Sequence, residues 1–100
     1  MTTAQRLEVL KQNIQILTNA HDSYLTYLLG QAEAAVQTTG VQDDGSTLYE
    51  SIIIDYAAYV WRKRDASTAG GKDSETAMPR FLKRNINNLL FAQKIQEAGA

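Results

Sequence analysis

The chain is 100 residues long, 44% hydrophobic and 21% charged, with a formal net charge of −1 and no cysteine. That is one globular domain with a modest core; it excludes disulfide staples, thiolate metal sites and thiol nucleophiles, and its near-neutral balance argues against general charge-driven binding to nucleic acid. No apolar run approaches the ~20 residues of a membrane span, and Met1 to Gln5 has no basic start leading into an apolar signal core, so a cytosolic, non-membrane setting is expected. The charge is nonetheless uneven. Residues 1–60 carry Arg6 and Lys11 against seven acids, whereas residues 61–100 carry eight bases against four acids. Such a split either orients a subunit against a neighbour or gives two solvated faces.

In chain order, Thr2 and Gln5 fit a capping box, and Leu7, Leu10, Ile14 and Leu17 recur at three- and four-residue steps, predicting a first helix over about 3–13. Asn13 and the alternation Ile14-Gln15-Ile16 weaken the helix beyond that point, leaving Ile14, Ile16 and Leu17 as apolar anchors of a connector. Thr18, Asn19 and Asp22 offer N-cap side chains for a second helix over about 20–38, with Leu25, Leu28, Leu29, Ala32 and Val36 as its buried stripe. Gly30 costs that helix about 1 kcal/mol relative to alanine, and its spacing to Ala34 predicts a small-residue face that another helix approaches closely. Asp43, Asp44 and Gly45 then form a turn-rich break.

The most apolar stretch is LYESIIIDYAAYVWRKR, Leu48 to Arg64. Tyr49, Ile52, Ile53, Tyr56, Ala57 and Val60 step by three and four, and Leu48, Ile54, Tyr59 and Trp61 widen the stripe, so this is the central helix, predicted over about 47–64. Thr47 with Glu50 reads as its capping box, and Arg62, Lys63 and Arg64 as bases favoured at a helix C-terminus. The β-branched run Ile52 to Ile54 also suits a buried strand; the length of the unbroken pattern favours helix. Residues 65–78, DASTAGGKDSETAM, are small and polar, predicting a long loop, either functional or disordered. Pro79 opens a last helix over about 79–95, with Leu82, Ile86, Leu89, Leu90 and Ile95 on its apolar face. The expected fold is therefore all-α: a single four-helix domain with a long loop between the third and fourth helices.

The motifs of chemistry are weak. His21 is the lone histidine, and Ser23 is too close in sequence to complete a triad with it. Asp43-Asp44-Gly45 lacks the alternating ligands and closing glutamate of a calcium loop, and Gly70-Gly71-Lys72 lacks the upstream glycine, the following Ser or Thr and the preceding strand of a phosphate loop. No catalytic, cofactor or metal site is expected, and no enzyme. The aromatics Tyr24, Tyr27 and Phe91 fall beside their apolar stripes and are candidates for a subunit interface. The bases Arg62, Lys63 and Arg64, with Arg80, Lys83 and Arg84 after the loop, suit phosphates, helix dipoles or the acidic half of a neighbouring subunit.

The order of these pieces carries a resemblance. A short helix TTAQRLEVLKQ is followed by the pattern D-S-Y-L-x-x-L-L-x-x-A-x-x-A-V, then by a central helix ending in Y-V-W-R-K-R-D, a small-residue loop containing S-E, and M-P-R-F-L-K-R-N-I-N-N-L. Over nearly its whole length the chain resembles the small head-tail connector proteins of tailed bacteriophages, also called head-completion or adaptor proteins. The resemblance implies an all-helical subunit of a ring, commonly twelve-fold, that sits beneath the portal protein in the virion neck. The ring extends the channel through which genome DNA passes without sequence-specific contact, and its other face receives a stopper or tail-completion protein; the subunit is made in the host bacterial cytoplasm. By position, Tyr59, Arg62, Arg64 and Asp65 match the family's aromatic and basic end of the central helix. Ser74, Glu75, Pro79, Leu82 and Ile86 match the junction from loop to last helix. The docking set implied for the portal or other partner is Arg62, Arg64 and Asp65, the loop residues Gly70, Gly71, Ser74 and Glu75, and Pro79, Arg80, Lys83 and Arg84. The tail after Lys94 is shorter and less charged than in the family. A small helical nucleic-acid-binding or regulatory protein that uses the same bases is the alternative.

Overall fold

The structure, a computed structural model, describes residues 1–68 and 79–99, with side-chain surroundings for 1–63 and 79–96. It contains four helices, α1 (Thr3–Ile14), α2 (Asp22–Thr38), α3 (Thr47–Thr68) and α4 (Arg80–Gly99), and no strand among the described residues. Helix α3 is the hub: α1, α2 and α4 all pack against it, and α1 also packs on α2. Ile52, Ile53 and Ile54 are all buried, as are Ala57 and Ala58. The run is helical, and three consecutive isoleucines point about 100° apart around a helix, so their burial means that α3 is enclosed from several sides. Each such side chain contributes roughly 1.5–3 kcal/mol by leaving water.

Helix α2 buries Leu25, Leu28, Leu29, Ala32 and Val36, the stripe its spacing predicts. At the start of α1, the Thr2 side chain accepts from the Gln5 N–H and the Gln5 side chain accepts from the Thr2 N–H, completing the expected capping box. Helix α1 ends on Gln15, whose φ of 61° is left-handed, so that the N–H groups of Gln15 and Ile16 reach back to the carbonyls of Gln12 and Lys11. This closes the terminal turn through backbone bonds. In α4, Leu82, Ile86 and Leu89 are buried and Leu90 is half-buried against the core.

Several local expectations are corrected. Helix α3 is capped by Ser46, whose hydroxyl accepts from the Tyr49 N–H at 3.1 Å, and not by Thr47 with Glu50; Glu50 is drawn instead into an ion pair with α1. No side chain caps α2, which begins at residue 22 with His21 at the N-cap position. Helix α3 runs on through residues 65–68, which were expected to be loop. Arg62 and Lys63 therefore lie more than a turn before its end, beyond the reach of the terminal dipole. Helix α4 starts at Arg80, after Pro79, and continues past residue 95 to Gly99. Leu17 is 95% exposed, and only Ile14 and Ile16 of the three connector residues pack on the core. Ile95 faces outward as well.

Gly30 gives a further correction. A methyl group built there would meet no atom within 4 Å, so no helix approaches along the Gly30–Ala34 face. Gly30→Ala is accordingly expected to raise stability by about 0.5–1 kcal/mol, because it lowers the freedom of the unfolded chain at a helical site with room for the side chain. Urea unfolding followed by circular dichroism would also show Ile53→Ala losing about 2–5 kcal/mol and Leu17→Ser changing by less than about 0.5 kcal/mol.

Candidate docking surface

Charge is distributed by the fold in a way that the two-halves count does not foresee. Arg6, on the buried face of α1, donates from Nε to Glu50 Oε1 on α3 at 2.6 Å and from Nη2 to Glu50 Oε2 at 3.1 Å. Its Nη1 reaches Glu33 on α2 at 3.1 Å, and Asp43 lies 3.8 Å from Nη2. Glu33 in turn accepts from the Tyr49 hydroxyl at 2.8 Å, and Gln37 donates to that hydroxyl at 3.0 Å. The bidentate bond from Arg6 holds the Glu50 carboxyl below the usual carboxylate range, and the same bond raises the Arg6 guanidinium. Burial pushes the Tyr49 hydroxyl up to about 12.

A second pair, Lys11 with Asp22 at 2.9 Å, ties the end of α1 to the start of α2. Glu33, Asp43 and Glu50 thus converge on one guanidinium, and Asp22 meets Lys11, so four of the seven acids of residues 1–60 lie beside a base of the same half; of the four, only Glu50 is buried. Of the remaining acids, Asp44 is held low by hydrogen bonds from Ser46 and Gln93, and burial pushes the Asp55 carboxyl up against the pull of Arg62.

The expected docking residues divide into three groups. Arg62 is exposed, yet its Nη2 donates to the Asn13 side chain at 2.8 Å and to the Asn13 carbonyl at 3.3 Å, so it also satisfies the open end of α1. Lys63 sits over the Tyr59 ring, 5.5 Å from its centroid. Arg80, Lys83 and Arg84 are exposed on the first turns of α4, beside Pro79, whose carbonyl accepts from the N–H groups of Leu82 and Lys83. No ion pair joins these three bases to another described residue. The side chains of Arg64 and Asp65, and Gly70, Gly71, Ser74 and Glu75 altogether, lie outside the described residues.

The interface candidates are on the surface: Tyr24, Tyr27 and Phe91 are 37%, 57% and 65% exposed. Tyr24 and Tyr27 stack at 6.2 Å, and Tyr24 also meets Trp61 at 6.1 Å. His21 packs edge-on against Trp61 at 5.2 Å, the arrangement of an aromatic contact and not of a positioned base. A groove of about 700 Å³ separates α4 from the α2–α3 connection, lined by Gly40, Gln42, Asp43, Asp44, Leu90 and Gln93. Gln93 bridges it, accepting from the Gln42 N–H and donating to the Gln42 carbonyl and to Asp44.

Among the described residues, no group of three His, Cys, Asp or Glu is placed to hold a metal, and no helix is long and apolar enough to cross a membrane. Sequence reasoning missed Arg6 as an organising residue. Its signal was a lone base on an apolar helix face, in the half of the chain where acids predominate. Comparison with protein-family models, with curated proteins and with solved structures found no match.

The ion cluster makes stability depend on pH in a defined sense. Glu50 has a lowered value in the folded state, so its contribution is complete above the usual carboxylate range and is lost as pH falls through that lowered value. Tyr49 is raised in the folded state, so its contribution is complete below about 10 and is lost as pH climbs towards 12. Arg6→Leu strands buried carboxylates and is expected to lose about 3–5 kcal/mol at neutral pH. Thermal melts across pH should show that variant without the acid-side loss due to Glu50, and Tyr49→Phe without the alkaline loss.

Proposed function

We propose that this protein is a structural, non-enzymatic subunit of a phage head-tail connector ring that binds the portal vertex, extends the DNA channel and carries the stopper or tail-completion protein. The order of elements and the sequence resemblance support the assignment, together with an all-helical fold whose conspicuous outward features are exposed aromatics and the exposed bases of α4. The observation that carries it is α4: Arg80, Lys83 and Arg84 are exposed on a helix held to the domain by one face, and no ion pair to another described residue occupies them. A helix so placed docks a partner while the Arg6 cluster and the α3 core keep the domain rigid. The aromatic surface of Tyr24 and Tyr27 on α2 supplies contact between subunits. With Glu33 and Glu50 bonded to Arg6, charge complementarity between ring neighbours rests on the exposed acids, Glu8, Asp43 and Asp44 among them.

The same bases favour one rival, a nucleic-acid-binding protein, whose affinity for DNA would fall steeply with salt as phosphate contacts release counterions. A gel shift at two salt concentrations separates the two, since the connector assignment expects no sequence-specific complex.

Particles assembled without this protein are expected to be heads that fill with DNA and then leak or lack tails. Complementation with Lys83→Glu and Arg84→Glu together should restore few tailed particles by electron microscopy, while Thr26→Ala, an exposed change away from α4, should restore them fully. Full tail attachment without the protein would exclude the assignment.

A further inference from the structure

Helix α4 has two apolar faces, and among the described residues only one of them is buried in the fold. Leu82, Ile86 and Leu89 are buried. On the far side, Phe81, Phe91 and Ile95 are 52%, 65% and 55% exposed. These three, with Arg84 and Asn88 between them, step by three, four, three and four residues, which at 100° per residue draws one narrow stripe along the helix. It is roughly 21 Å long at about 1.5 Å per residue, the span of a helix of four turns laid alongside. Bulky apolar side chains aligned in this way mark a contact surface more than chance exposure does.

The charges beside the stripe select the occupant. Residues 80–96 contain four bases and no acid. By the same rotation, Arg80, Lys83 and Lys94 fall on one flank, with Arg84 within the stripe, while the other flank holds Asn85, Ala92 and Gln96.

A second copy of α4 would bring four bases against four bases, an arrangement that repels. Elsewhere on a second copy, the stripe of Tyr24 and Tyr27 on α2 is flanked by Asp22, which is already engaged by Lys11, and Glu33 and Glu50 are bonded to Arg6, which leaves no row of free acids beside that stripe. An anionic membrane or a nucleic acid would meet the net negative charge of residues 1–60 beside a single basic flank.

We propose that the outward stripe of α4 receives an amphipathic helix of a different protein, one with an apolar seam and acidic residues along one edge. This deepens the docking role given to α4 above and rests on it. Phe81, Phe91 and Ile95 enter the partner's apolar seam, and the carboxylates on its edge pair with Lys83, Arg84 and Lys94. Asn88 sits midway, where a polar group among apolar contacts sets register. Phe91 is thereby assigned to the partner rather than to contact between like subunits.

The test uses the full chain and a fluorescent three-heptad helical peptide with leucine at its seam and glutamate on its flanks, followed by anisotropy. Its lysine-flanked counterpart, phosphatidylcholine vesicles containing phosphatidylglycerol, and a single-stranded DNA oligonucleotide serve as competing probes. The glutamate peptide is expected to bind, more weakly as salt rises, and the lysine peptide at least about tenfold more weakly. Phe81→Ala with Phe91→Ala, and separately Lys83→Glu with Arg84→Glu, should each weaken it by about tenfold or more. Circular dichroism should show unchanged helix, because all four side chains are exposed.

The proposal is overturned if the glutamate peptide binds no better than the lysine peptide, or if neither double variant weakens it. Tighter binding to vesicles or to DNA would overturn it in favour of those surfaces, and concentration-dependent self-association abolished by the phenylalanine variants would overturn it in favour of a second copy. Peptide binding requires no virion particle, so its failure is distinguishable from the failure of tail attachment that tests the connector assignment.

Discussion

One guanidinium holds three helices together. Arg6 projects from α1 to a bidentate bond with Glu50 of α3 and a single bond with Glu33 of α2. An ion pair at this depth is tolerated only when its remaining donors and acceptors are occupied, and here they are: Glu33 accepts from Tyr49, and Gln37 completes that hydroxyl. The requirement is strictest at Glu50, the buried member, which has only the Arg6 guanidinium and, at 3.5 Å, the N-terminal ammonium to offset its charge. It fixes how α1 crosses the α2–α3 pair more narrowly than apolar contact does, since apolar packing tolerates small slides and a fork-to-carboxylate bond does not.

That internal commitment shapes what is left for the surface. Glu33 and Glu50 bonded to Arg6, and Asp22 bonded to Lys11, join α1 to α2 and α3, so these acids of the first half close its own helices. The basic half is treated differently. Arg62 is bound to Asn13 at the end of α1, but the bases of α4 face outward on a helix that touches the rest of the domain through α3 and the α2–α3 connection. The molecule is flat as well as small, with extents of 47 × 29 × 17 Å, and Phe81, Phe91 and Ile95 of α4 are more than half exposed. The interior is thus tied together by charge, and the outer helix carries exposed apolar side chains and exposed bases that form no ion pair with another described residue.

Local pattern was a good guide wherever burial follows from period alone. The five buried positions of α2, the Thr2–Gln5 cap and the helical state of Ile52 to Ile54 were all readable, because spacing and hydroxyl chemistry act within a few residues. It failed where two local solutions were nearly equal. Ser46 and Thr47 are adjacent hydroxyls able to cap α3, and the choice fell to Ser46 because Glu50, the other half of a Thr47 box, is stabilised more by a buried arginine than by a backbone N–H. Leu17 fitted the period of α1, but the left-handed turn at Gln15 ends the helix first and swings Leu17 into solvent. Gly30 suggested a close approach that the path of the neighbouring helices does not make.

By itself the sequence determined the number and type of the helices, the central place of α3 and most of the core, since amphipathic period and total apolar content leave one way to bury so much of residues 48–61. Only the tertiary structure decided the fate of the charges. Which carboxylate meets which base depends on helices distant in sequence coming within hydrogen-bonding reach, as Arg6 does with Glu50 across 44 positions. No count of acids and bases contains that distance. The structure alone therefore separated the bases bonded within the fold, Arg6, Lys11 and Arg62, from those of α4 that have no ion pair among the described residues.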